Sequence, residues 1–327
     1  MQQSPNIIEM RDVNLKFGGD TGVFDLNIDV PQGSIFGMIG PSGSGKTTTA
    51  RLMVGLYRPT SGSIRVMGRE PARFKARDRE RIGYMPQQFV LYPNLTVEEN
   101  LRFVASLYGV GFRRRRKRID ELLEFVELTD ARRRLGSQLS GGMKRRLELA
   151  GSLIHEPTLL FADEPTAGID PVLRSKFWKA FHDLRSQGRT LFVTTQYVGE
   201  AAYCDLVGVM RDGRLLFVDT PDGLRRRAVG GEVVQFSVDP GCVREAARIL
   251  YEHPIVSDVH ISRSEPGLLQ AYVEEAGSAL TVLIPLFDAH PDVILKQAEE
   301  YRPPFDDIFI MLMEKVDREE AAEQRNV

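Results

Sequence analysis

The sequence predicts an α/β protein: a domain built on a parallel sheet that carries a phosphate-binding loop and an inserted helical subdomain, followed by a small α+β domain. Three observations predict it. A glycine-rich loop stands between an apolar strand-length run and a helical pattern, a second apolar run ends in an acidic pair, and beyond Gly230-Gly231 strand and helix patterns alternate in a new order. At 327 residues the chain exceeds one ordinary domain of roughly 100 to 200 residues. Charged residues at 27% and hydrophobic ones at 42% describe a folded chain with a sizeable core. With 43 basic and 45 acidic side chains the net charge is -2, so the overall balance calls for neither a nucleic acid nor an anionic surface. Cys204 and Cys242 are the only cysteines and lack metal-ligand spacing, which points to ordinary small core residues and a reducing compartment. No run approaches the ~20 apolar residues of a spanning helix, and MQQSPNIIEMRD lacks the regions of a signal peptide, so a cytoplasmic chain is expected.

Ser34 to Ile39 reads as a buried strand, and Thr48 to Tyr57 as a helix with Leu52, Met53, Leu56 and Tyr57 on one face. Between them lie Gly40, Pro41, Ser42, Gly43, Ser44, Gly45, Lys46, Thr47 and Thr48, which fit the pattern G-x-x-x-x-G-K-[ST]. Glycines let the backbone wrap closely around a phosphate with its N–H groups inward, and the helix start adds its positive dipole end. Lys46 is expected to neutralise the β and γ phosphates, and Thr47 to offer its hydroxyl to Mg²⁺.

From about 88 to 140 the chain should form the helical subdomain, with helices near Asn100 to Tyr108 and Ile119 to Leu128. Arg113 to Arg118 is a basic run without alternating aromatics, so a solvated helix face or a contact with lipid head groups is expected before a nucleic-acid patch. Leu139-Ser140-Gly141-Gly142-Met143 follows, and then Met143, Leu147, Ala150 and Ile154 at intervals of four, three and four; Ser140 is thus the N-cap of an amphipathic helix, whose open N–H groups suit an anion. Twenty-three residues past Ser140, the apolar run Thr158 to Ala162 ends in Asp163-Glu164. An acidic pair at the carboxyl end of a buried strand lies where parallel sheets bind ligands, so Asp163 can orient a metal and Glu164 can activate a water.

In this order, from about Ile7 to Leu224, the motifs resemble those of the ATP-binding cassette (ABC) family: two Walker motifs flanking an LSGGQ-like signature in which Met143 replaces the usual Gln. The resemblance implies an ABC nucleotide-binding domain that binds ATP and Mg²⁺ and hydrolyses ATP. It implies that Phe17 stacks on adenine, that Gln87 senses Mg²⁺ and the attacking water, and that Ser140, Gly141 and Gly142 contact the γ-phosphate held by an opposite subunit. Asp170, in Ala167-Gly168-Ile169-Asp170, matches the D-loop, and Gln196 stands where the family usually has a switch histidine. It implies as partners a second ABC subunit, in a homodimer or heterodimer, and an integral membrane permease, with the chain peripheral on the inner face of the cell membrane. Phe89 to Pro93 would lie near the permease docking point, although an ordinary buried loop explains that run equally well.

Leu206 to Met210 and Leu215 to Val218 flank Asp212-Gly213, a hairpin signal that closes a domain of residues 1–229. From 230 to 327 the pattern is strand, helix, strand, strand, helix, strand, resembling a βαββαβ ferredoxin-like module, with a last helix from Phe305 to Val316 and a charged tail from Asp317. His253, His260 and His290 have no ligand spacing. The switch segment, the stretch from Tyr92 to Tyr108 and the Pro-Pro-Phe-Asp-Asp-Ile-Phe ending resemble exporter-type cassettes of drug, lipid or polysaccharide efflux. The alternative is a soluble ABC ATPase acting on ribosomes or nucleic acid; a regulator without turnover is disfavoured by Glu164.

Overall fold

A computed structural model describes residues 5–19, 21–262 and 265–325; the first four residues of the N-terminal stretch and the last two of the charged tail lie outside the described residues. The chain divides into two units, 1–220 and 221–327. The first contains β1 (Asn6–Gly18), β2 (Thr21–Pro31), β3 (Ile35–Ile39), α1 (Lys46–Met53), β4 (Ser61–Val66), α2 (Ala76–Arg79), β5 (Ile82–Met85), α3 (Val97–Leu107), α4 (Phe112–Phe125), α5 (Gly141–Leu153), β6 (Leu159–Asp163), α6 (Pro171–Ser186), β7 (Thr190–Thr195), β8 (Leu206–Arg211) and β9 (Arg214–Asp219). Its sheet runs β4-β1-β2-β9-β8-β3-β7-β6-β5, with β8, β3, β7, β6 and β5 parallel to their neighbours in that stretch. Every residue of β3, β6 and β7 is buried, which is why these strands read as continuous apolar runs instead of alternating ones. Phe36 and Phe192 stack with centroids 5.4 Å apart between neighbouring strands, and Phe161 packs against Phe192 from the next.

Local chemistry moves several expected boundaries. Helix α1 ends at Met53 and not at Tyr57, because Gly55 takes a left-handed φ of 77° and turns the chain out, leaving Leu56 64% exposed. Helix α3 starts at Val97, where Thr96 and Glu99 form a reciprocal capping box. The basic run lies inside α4, since Arg and Lys are good helix formers; Arg114 and Arg118 pair with Glu156, and Lys117 and Arg118 with Glu121. The run from Phe89 is not a buried loop: Val90 and Tyr92 are 63% and 51% exposed, and the Tyr92 ring meets Phe103 edge-on at 4.9 Å. Asp212 and Gly213 both take positive φ, 48° and 76°, as the two-residue hairpin turn between β8 and β9 requires.

The second unit holds α7 (Pro221–Val229), β10 (Glu232–Val238), α8 (Val243–Tyr251), β11 (Val256–Ile261), β12 (Leu268–Val273), α9 (Ala276–Asp288), β13 (Leu295–Tyr301) and α10 (Phe305–Arg325). The βαββαβ order expected of this region is present, and its sheet runs β11-β12-β10-β13 with every pairing antiparallel. Val234, Phe236 and Val238 alternate toward a core completed by α8 and α9. The unit opens at Pro221, ahead of the glycine pair, because α7 packs on α10 and its Arg227 carbonyl accepts the Lys315 ammonium at 2.7 Å. Helix α10 runs past Val316 into the charged stretch. Among the described residues no helix is long and apolar enough to cross a membrane, and no cluster of His, Cys, Asp and Glu could hold a metal.

Candidate nucleotide site

Lys46, Thr47, Gln87, Asp163 and Glu164 converge because parallel strands present their carboxyl ends on one edge of a sheet. The Gly40 loop follows β3, Gln87 lies two residues past β5, Asp163 ends β6 with Glu164 next, and Gln196 follows β7. Gly40 has φ 155°, and a Cβ there would lie 2.1 Å from the Met210 carbonyl oxygen; Gly45, at φ 104°, caps α1 and would meet Met210 and Val23 at 2.7 Å. Only glycine fits at either position. The Ser44 hydroxyl is buried in the loop with no hydrogen-bond partner. Lys46 is 4% exposed and donates to the Gly40 and Pro41 carbonyls, each at 2.8 Å. Burial holds its ammonium below the ordinary lysine range, opposed by the charges of Glu164 and Asp163.

The Thr47 hydroxyl donates to Asp163 Oδ1 at 2.9 Å, tying α1 to the end of β6. Thr194, on β7, donates to the same oxygen at 2.5 Å, and Tyr84 approaches Oδ2 at 3.5 Å. Glu164 stands 7% exposed at a left-handed φ of 47°, an uncommon conformation for a side-chain-bearing residue. Its amide is held by the Thr194 carbonyl and hydroxyl, both at 3.0 Å. Its carboxylate accepts the Gln87 amide at 2.9 Å and lies 3.9 Å from the Lys46 ammonium. An acid, an amide, a lysine and a hydroxyl–carboxylate pair thus surround one point, an arrangement able to hold phosphate, metal and water together. Phe17, 53% exposed, rests edge-on against Tyr57 at 5.4 Å, leaving ring surface for a flat aromatic ligand.

Ser140, Gly141 and Gly142 open α5, where the Ser140 hydroxyl accepts the Met143 amide at 3.3 Å as expected of an N-cap. Asp170 caps α6 through the Leu173 amide at 2.9 Å. Ser140, Gly142 and Asp170 line one cavity of about 550 Å³, and no described hydrogen bond joins them to the Lys46 loop. Gln196 is exposed. The sequence reading missed Thr194 and Tyr84, and also Arg145 and Glu148, which lie in α5 immediately behind the signature. It missed Thr166, whose hydroxyl donates to the buried Glu200 at 2.7 Å, with Arg174 3.4 Å from the same oxygen. For Thr194 the signal lay in two threonines directly after the apolar run Leu191-Phe192-Val193.

Daunorubicin resistance ATP-binding protein DrrA3 of Streptomyces coeruleorubidus is 36% identical over 302 residues, spanning 91% of this chain and 92% of that protein. The chain belongs to the ABC transporter ATP-binding proteins. The ABC transporter family profile matches residues 23–167. The probable multidrug ABC transporter ATP-binding protein YbhF of Escherichia coli strain K12 is 41% identical over 226 residues, 69% of this chain but only 39% of that relative's length. An ATP-binding cassette solved as a post-hydrolysis dimer bound to ADP and Pi superposes with a TM-score of 0.60 at 27% identity, covering 65% of this chain and 98% of that one. The first unit accordingly has the fold of an ABC nucleotide-binding domain.

Proposed function

We propose that this ABC protein is the ATP-hydrolysing subunit of an exporter, working as a pair of cassettes beneath a separate membrane permease. The observation that carries the reading is the joint placement of Lys46, Glu164 and Gln87, with Thr47 bonded to Asp163. The buried, unpartnered Ser44 hydroxyl and the two glycines that admit no side chain fit a phosphate chain lying on the loop. Thr47, Asp163 and Gln87 form an all-oxygen donor set once the glutamine nitrogen faces Glu164, which suits a hard divalent cation. Mg²⁺ held there would neutralise charge on the β and γ phosphate oxygens. Lys46 binds the phosphates, Phe17 and Tyr57 orient the base, and Glu164 takes the proton of the attacking water while Gln87 fixes its carboxylate. Gln196 cannot titrate as a histidine would, yet its amide can donate to the γ-phosphate.

No described hydrogen bond joins Ser140, Gly141, Gly142 or Asp170 to the Lys46 loop, and we assign them to the nucleotide of the second cassette, so that one chain would not complete a hydrolytic site. Permease docking is assigned to the exposed Val90 and Tyr92, backed by Phe103. Buried Asn100 holds this platform by accepting the Tyr92 amide at 2.8 Å and donating to the Tyr92 carbonyl at 2.9 Å. The drug-resistance name of DrrA3 and the Nod factor export name of another relative support the direction of transport. Purification from native membranes in mild detergent tests the reading: co-purification of an integral membrane subunit is expected, whereas ribosomes or nucleic acid in its place would sink it.

A further inference from the structure

We propose that Arg145 is a positioning residue for hydrolysis, its guanidinium tying the backbones of Gln87 and Glu164 to helix α5, with Glu148 holding both that guanidinium and the amide of Val90. The inference rests on the hydrolytic role proposed for Glu164. Arg145 Nη1 donates to the Pro86 carbonyl at 2.8 Å, and Nη2 donates to the Gln87 carbonyl and to the Glu164 carbonyl at 3.3 Å. Glu148, one turn along, accepts from Arg145 at 3.1 Å on one oxygen and from the Val90 amide at 3.1 Å on the other. The two side chains are 11% and 1% exposed. One planar fork therefore touches the glutamine that orients the base, the base itself, and, through Glu148, the loop assigned to the permease.

Stability alone is a weak reason for such a pair. Taking an arginine and a carboxylate out of water costs several kcal/mol per ion, and well-packed apolar replacements of buried pairs are often neutral. Burial in fact pushes the Glu148 carboxyl up to about 7 despite the adjacent arginine. What the pair supplies is direction: guanidinium donors in a rigid fork fix carbonyls belonging to two different loops, which a lysine ammonium cannot span. Ser140 caps helix α5, so a shift of that helix would be passed to Gln87, Glu164 and Val90 together.

The test compares full-length wild type, Arg145→Lys and the double variant Arg145→Met/Glu148→Leu for thermal midpoint, Mg-ATP affinity and kcat. The double variant is expected to melt within a few degrees of wild type, to bind ATP within about threefold, and to lose tenfold or more in kcat, a split between binding and turnover that a structural role does not produce. Arg145→Lys should bind ATP normally and fall between the two in kcat, which keeps the inference testable should the double variant not fold. In a Glu164→Gln background, Arg145→Met should not lower the residual rate further, because its action passes through Glu164. Wild-type kcat in both Arg145 variants, or loss of ATP affinity in step with kcat, overturns the positioning role while leaving the proposed function intact. A wild type without turnover overturns the proposed function itself, and this inference with it.

Discussion

Thr194 makes two contacts that shape the catalytic point, one to Asp163 and one to the amide of Glu164. Thr194→Val keeps the volume but leaves a buried carboxylate oxygen and a strained backbone amide each short of a partner. Chemical unfolding should report a loss of about 1–3 kcal/mol, with a lower ATPase rate. On the γ-phosphate role proposed for Gln196, Gln196→Ala should lower kcat roughly ten- to 150-fold at saturating Mg-ATP, and a change within twofold would make Gln196 structural. Glu148 has its own pH signature: with its carboxyl raised from 4.5 to about 7, the protonated form is favoured by folding, so its contribution is full below 4.5 and is lost as pH rises through 7. Glu148→Gln should flatten the stability profile across that window. The binding loop and acidic pair were legible because their chemistry demands fixed residue types at fixed spacing. Thr194, Arg145 and Glu148 were not, because a threonine closing a strand and charged residues on a helix look alike whether solvated or buried.

Helix α5 ties the signature to the interior, and its first turn depends on one hydroxyl. Ser140→Ala should cost about 1 kcal/mol through the lost cap, measurable by denaturant unfolding. The loop after β5 behaves differently, since Val90 and Tyr92 contribute exposed apolar surface and little to the core. Tyr92→Glu should therefore leave the basal ATPase of the purified chain near wild type and abolish stimulation by the permease; a collapse of basal ATPase together with the fold would show that the segment is core. Strand interiors were legible as apolar runs, whereas helix ends were not: α1 stops early at Gly55, and α4 starts early because the arginines before Ile119 are helix formers whose ion pairs involve a residue as distant as Glu156. The capping box of Thr96 and Glu99 did stand in the sequence, and it fixes the start of α3.

At the scale of the molecule, the two-unit organisation follows from a change of pattern: buried parallel strands need helices on both faces, while the alternating strands of 232–301 need one. The order of motifs along the chain made the family legible, and relatives such as DrrA3 extend the match through both units. Ser140, Gly142 and Asp170 line one cavity and no described hydrogen bond joins them to the Lys46 loop, so the role proposed for them across a pair of cassettes was legible only through the order of motifs. Glu164 is the proposed base of ATP hydrolysis, on which every other role at the site depends. The measurement is steady-state phosphate release at saturating Mg-ATP for wild type and Glu164→Gln, with ATP affinity determined separately on each and the permease added if the purified chain is idle. Turnover by wild type, and its loss in the variant at undiminished ATP affinity, is the predicted result. Turnover in Glu164→Gln close to wild type would contradict it.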